Sequence, residues 1–167
     1  MRALVILLAC AGTAAADVTV EELAARPAIA TTVRAKPTEL AAAMQTAMLS
    51  LIAAAQQHDL QIVAPPLARY LSRGDTFVVE AALPVRKSPA KLGKQLRAIS
   101  LPAGPAAVVV VRGPHTRLAS GHAELDRWLA ANKRATAGAR WEVYVTNPIT
   151  TPDPDAQVTR IYAPLAK

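Results

Sequence analysis

The chain has 167 residues, with 19 Lys and Arg against 12 Asp and Glu, a formal net charge of +7 and a single cysteine. That length suits one domain with a sizeable core and excludes two comfortable ones, and a lone thiol excludes a fold stapled by internal disulfides. The basic residues are scattered, which argues against a nucleic-acid stripe. Their densest group, Arg86, Lys87, Lys91, Lys94 and Arg97, falls in a Pro- and Gly-bearing stretch, read either as a solvated loop near an anionic envelope or as a patch for an acidic partner.

In chain order, residues 1–16, "MRALVILLACAGTAAA", carry one positive charge, a short apolar run and small residues ending in Ala14-Ala15-Ala16. This is the layout of a signal peptide, and the run is too short to span a bilayer. Cleavage before Asp17 leaves a domain of residues 17–167. The alternative is a lipobox-like "LLAC" that anchors the chain through Cys10. Either way the domain is expected outside the cytoplasm, periplasmic or secreted, touching a membrane only through a lipidated Cys10.

"VTVEEL" alternates apolar and polar residues as a half-buried strand does, and "AIATTVRA" continues it beyond Pro27, which breaks or bulges an edge strand. From Thr38 the chain runs without Gly or Pro, and Leu40, Met44, Met48, Leu51 and Ile52 recur at helical spacing, so an amphipathic helix capped by Thr38 is predicted. "QIVAPPLARYLS" and "DTFVVEAALPV" read as two strands turned around Arg73-Gly74-Asp75, and residues 86–97 as a loop. A second round follows: "AISLPAGPAAVVVVRG" is an interrupted strand and "TRLASGHAELDRWLAANK" a helix weakened by Gly121. "RWEVYVT" and "AQVTRIYAP" then flank a Pro- and Asp-rich turn.

The order is β-α-β-β, twice. It predicts an α+β fold of two pseudo-symmetric halves forming an antiparallel sheet, with two helices on one face and a ligand cleft between the halves. Strand alternation puts Glu142, Tyr144 and Thr146 on one face and Trp141, Val143 and Val145 on the other, the apolar set being expected under the helices.

The words "ARPAIATTVRAKPTELAAAM", "PPLARY", "FVVEAALPV", "LPAGPAAVVVVRGP", "WEVYVTNPITTPDP" and "RIYAP", in this order, resemble the GyrI-like small-molecule-binding family, found also as the effector-binding part of AraC-type and multidrug-binding regulators. The resemblance implies that Glu142 lies at the floor of an aromatic-lined cleft. Two positions depart from the family pattern: His115 stands where an aromatic tyrosine is usual after "RGP", and Arg160 replaces the acid before Ile161-Tyr162.

The expected ligand-binding set is therefore Glu142, Tyr144, Tyr70, Phe77, His115 and Tyr162. The leading expectation is an exported, monomeric, single-domain binder of a small, largely apolar molecule, cationic or neutral, with Glu142 as its polar anchor. Some relatives hydrolyse strained cyclic esters with a Glu and a Tyr, so the resemblance permits a hydrolase with Glu142 and Tyr144 as its catalytic pair. A non-catalytic envelope interaction protein is the third class. Aromatic residues make up only 4% of the chain, few for a generous multidrug cage. No metal or cofactor is expected, since His122 lacks the ligand spacing of a metal site and no phosphate-cradling glycine loop occurs. Glu80 alternates with Phe77 and Val79 and is expected to face solvent. Trp128 and Trp141 are expected in the core.

Overall fold

The computed structural model describes residues 18–147 and 150–166. The leader read at residues 1–16, including Cys10, lies outside the described residues.

Eight strands and two helices follow in the order β1 (Thr19–Leu23), β2 (Arg26–Ala35), α1 (Leu40–Gln57), β3 (Leu67–Ser72), β4 (Phe77–Pro84), β5 (Arg97–Leu101), β6 (Gly104–Arg112), α2 (Leu118–Ala131), β7 (Trp141–Tyr144) and β8 (Val158–Pro164). The strands form one curled sheet in the order β1-β6-β8-β7-β3-β4-β2-β5, antiparallel at every pairing. That order is palindromic about the β3–β7 pair, so each of β1, β2, β3 and β4 has its counterpart in β5, β6, β7 and β8.

The first strands are exchanged. β1 pairs with β6 of the second half, and β5 pairs with β2 of the first. β1 and β2 are separate strands that do not pair with each other, and β2 lies between β4 and β5 rather than at an edge. Pro27 is tolerated near the start of β2 because a proline lacks only the donor: its carbonyl still accepts the Val85 N–H at 3.0 Å.

Correspondence between the halves extends to single residues at one constant offset in sequence. Both helices end with a non-glycine residue in the left-handed region, Asp59 and Lys133, each with φ of 50°. Behind each runs the same terminal hydrogen bond, Leu60 N–H to the Ala55 carbonyl and Arg134 N–H to that of Leu129. Leu51 and Leu125, the corresponding helix anchors, are both fully buried.

α1 packs on β2 and β4, burying Ala47, Leu51, Ala54 and Ala55 against Ile29, Val33, Ala81 and Leu83. Ile52, predicted on that stripe, is instead 38% exposed. The predicted Thr38 cap is also absent. The Glu39 N–H bonds the Lys36 carbonyl in a turn that already has near-helical geometry, so the helix starts at Leu40 without a side-chain cap.

α2 packs on β6 and β8 through Leu125 and Leu129. Gly121 strengthens this contact rather than weakening the helix: a Cβ there would overlap Val111 and lie 2.8 Å from Ile161 Cδ1, so only glycine lets the helix approach so closely. With each helix seated on its own half, the central pair β3–β7 lies in the gap between them.

The opposite, inner face of the curl has its own core, in which Ala28, Ala30, Leu67, Ala82, Ala106 and Val108 surround Trp141 and Tyr162. This reverses one expectation. Trp141 and Val143 pack on the inner face, away from the helices, and Glu142 is the residue that faces the helix side.

Candidate functional site

Register explains how the site is assembled. Ala68 of β3 is the direct partner of Glu142 of β7, and Glu142 in turn opposes Ile161 of β8, which packs under α2. Side chains of paired residues project to the same face, so Glu142 rises on the helix side, in the gap between α1 and α2. Tyr70 and Tyr144 stand two residues beyond Ala68 and Glu142 on the same face. They are counterparts in the two halves, and both reach the one carboxylate.

The Tyr70 hydroxyl donates to Glu142 Oε2 at 3.0 Å and the Tyr144 hydroxyl to the same oxygen at 3.1 Å. The other oxygen, Oε1, lies 2.8 Å from His122 Nε2. Glu142 itself is only 2% exposed. Burial first, and then the adjacent Glu142 charge, push both phenols above the ordinary tyrosine range, so they remain hydrogen-bond donors at neutral pH.

The remaining expected residues fall into two groups. Phe77 meets Tyr70 edge to face, with ring centroids 6.3 Å apart, and His115 lies against Tyr144 at 5.5 Å, so both border the cluster. Tyr162 does not. It pairs with Trp141 across β7–β8, stacks on that ring at 5.4 Å, and is separated from Glu142 by the sheet.

Two members were missed by the sequence reading. His122 lacks a metal-site pattern, yet it lies on the apolar stripe of α2, between Leu118 and Leu125 at helical spacing, and that placement is the signal the sequence offers. Arg73, in the turn after β3, stacks its guanidinium carbon 4.2 Å from the Tyr70 centroid and brings Nη2 within 3.1 Å of His122 Nε2. Nothing in the sequence alone pointed to it.

His122 Nε2 thus faces a donor, Arg73, and an acceptor, Glu142, and a single ring nitrogen satisfies only one of them at a time. Its Nδ1 is buried without a partner. Among the described residues no three His, Cys, Asp or Glu side chains are grouped to hold a metal ion.

Glu80, expected in solvent, is 1% exposed on the inner face. Arg69 Nη2 lies 2.6 Å from its Oε1 and Arg97 holds its Oε2. Glu80 does alternate with Phe77 and Val79, but both faces of the sheet are covered at this strand, so alternation does not imply exposure.

Each half runs β-β-α-β-β, with a hydrogen-bonded carboxylate on the central strand pair, and this duplicated sheet is the architecture shared with effector-binding domains. The chain belongs to the GyrI-like small molecule binding domain family, whose model matches residues 16–166. No curated protein matches the chain.

Among solved structures, the C-terminal domain of EcmrR is similar at a TM-score of 0.76 and 17% identity, covering 91% of this chain and 98% of that one. In the EcmrR–DNA complex the chain spans 58% of the EcmrR chain. SAV2435 bound to tetraphenylphosphonium is similar at 0.67 and 13% identity, with 90% and 94% covered. A hydrolase from Listeria innocua gives 0.65 and 13%, with 89% and 91% covered. At such identities the likeness is one of fold.

Proposed function

We propose that the chain binds a small, largely apolar ligand carrying a delocalised positive charge in the gap between α1 and α2, with Glu142 as its charge partner and Tyr70, Tyr144 and Phe77 as its aromatic walls. The observation that carries this reading is a carboxylate 2% exposed whose direct partners are two phenols and an imidazole, with no Lys or Arg in ion-pair contact among the described residues. A buried carboxylate held by two uncharged phenols and paired with no Lys or Arg suits a cationic partner, and aromatic faces favour the same partner.

SAV2435, of the same fold, is bound to tetraphenylphosphonium, which makes that cation the first probe. Isothermal titration with tetraphenylphosphonium is expected to show at least a tenfold loss of affinity in Glu142→Gln. Equal affinity in the variant overturns the reading.

A second reading rests on the same phenol–carboxylate contacts, which resemble the Glu and Tyr pair of an ester hydrolase. It requires turnover of an activated ester that disappears in both Glu142→Gln and Tyr144→Phe; turnover insensitive to either change removes it. We also infer export from the leader-like residues 1–16. Mass measurement of the cellular product tests this: a chain starting at Asp17 or a lipidated Cys10 supports export, and an unprocessed Met1 overturns it.

A further inference from the structure

Arg73 is an exposed turn residue whose guanidinium lies over an aromatic ring of the Glu142 cluster. It follows β3 directly, where a register shift between Tyr70 and Ser72 precedes the exposed turn to β4. From there its guanidinium returns over the Tyr70 ring, 4.2 Å from the centroid, with Nη2 at 3.1 Å from His122 Nε2, the atom that also contacts Glu142. Arg69 and Arg97 pair directly with a carboxylate; among the described residues Arg73 pairs with none.

Its hold is one aromatic face and one shared nitrogen. When Nε2 donates to Glu142, it offers Arg73 nothing to bond. A guanidinium is planar, delocalised and weakly hydrated, so it suits this position where a compact ammonium would not.

We propose that Arg73 is a tethered stand-in for the ligand's cationic group: it covers the Tyr70 face in the free protein and must leave before a ligand enters. This deepens the cation-binding reading of the Glu142 site and rests on it. The site then selects for cations as delocalised and weakly hydrated as a guanidinium, because only these recover on Tyr70 and Glu142 what is lost when Arg73 swings out. A tethered competitor lowers apparent affinity by the fraction of protein it leaves open.

The test is isothermal titration of tetraphenylphosphonium into the parent, Arg73→Gln and Arg73→Lys. Glutamine keeps much of the length and loses the charge; lysine keeps the charge and loses the planar fork. Both variants are expected to bind at least tenfold more tightly than the parent.

Tighter binding by Arg73→Gln with parental affinity in Arg73→Lys means that simple charge repulsion suffices, and overturns the proposal. Binding by the parent that Arg73→Gln leaves unchanged or weakens also overturns it, while the cation-binding reading stands. Absence of binding in all three proteins overturns that reading and this inference together.

Discussion

Two glutamates sit near the middle of the sheet at almost the same depth, and they are compensated in opposite ways. Glu80, on the inner face, is flanked by the guanidinia of Arg69 and Arg97, and Arg97 also bonds Thr32. Glu142, on the helix side, has two phenols and an imidazole. Desolvating a carboxylate costs several kcal/mol in either place. At Glu80 that cost is offset by fixed cations, so the group is committed to the fold. At Glu142 it is offset by two phenol donors and the His122 imidazole, with no Lys or Arg in ion-pair contact among the described residues. Burial alone does not distinguish the two acids; the guanidinia beside Glu80 and their absence beside Glu142 do.

The largest effect is expected at the structural acid. Glu80→Gln leaves two guanidinia without a counter-charge, one of them Arg69, whose Nε is already buried without a partner. The expected loss is about 3 kcal/mol in chemical denaturation, with tetraphenylphosphonium affinity unchanged. Glu142→Gln reverses the pattern: stability within about 1 kcal/mol of the parent, and binding lost. An Glu80→Gln variant as stable as the parent would break the contrast between the two sites.

Next in size is Gly121→Ala. Alanine gains helix propensity, but its Cβ meets Val111 and Ile161 and pushes α2, with His122, away from β7. A net loss of about 1–2 kcal/mol is expected, accompanied by weaker tetraphenylphosphonium binding. Stability and binding both at parental values would show that the close approach of α2 is not needed to seat His122. Smaller again are Tyr70→Phe and Tyr144→Phe, each expected to cost about 1 kcal/mol. Because both hydroxyls serve one carboxylate oxygen, the double variant should deviate from additivity. Strict additivity would mean that the two bonds do not depend on each other.

The duplicated architecture was legible in the sequence because each half repeats its strand and helix patterns, and the β7 face bearing Glu142 and Tyr144 followed from period-two alternation. Strand exchange was not legible. Each half's first two strands read as one strand, interrupted at Pro27 in the first half and at a Pro- and Gly-bearing bend in the second, and only long-range pairing sends β1 and β5 into opposite halves. Which face each side of β7 would meet was equally hidden, since both sides of the sheet are covered and the apolar side turned inward. Half of the site could have been found by laying one half on the other. At the common offset His122 corresponds to Met48 and Glu142 to Ala68, so the second half carries a polar pair where the first has apolar residues. Ala68, fully buried opposite Glu142, leaves the room that the carboxylate fills. Arg73 stayed invisible because a turn arginine has no periodicity to betray what it touches.

The finest discrimination between the two faces comes from alkaline titration. Tyr70 and Tyr144 are raised above the ordinary tyrosine value by burial and then by Glu142, whereas Tyr162, on the other face, is raised by burial with Arg160 opposing. Below about pH 10 folded and unfolded chains both keep these protons, and stability owes no pH dependence to them. Above it the unfolded chain releases protons that the native site retains, so the native state binds more and stability falls as pH rises, by up to about 1.4 kcal/mol per pH unit for each fully retained proton. Denaturation midpoints between pH 9 and 11 should therefore decline less steeply in Tyr70→Phe and Tyr144→Phe than in the parent, and Tyr162→Phe should change the slope least. Equal slopes in all four proteins would mean that the phenols are not held against Glu142 in solution, and the distinction between a carboxylate served by phenols and one locked by arginines would lose its basis.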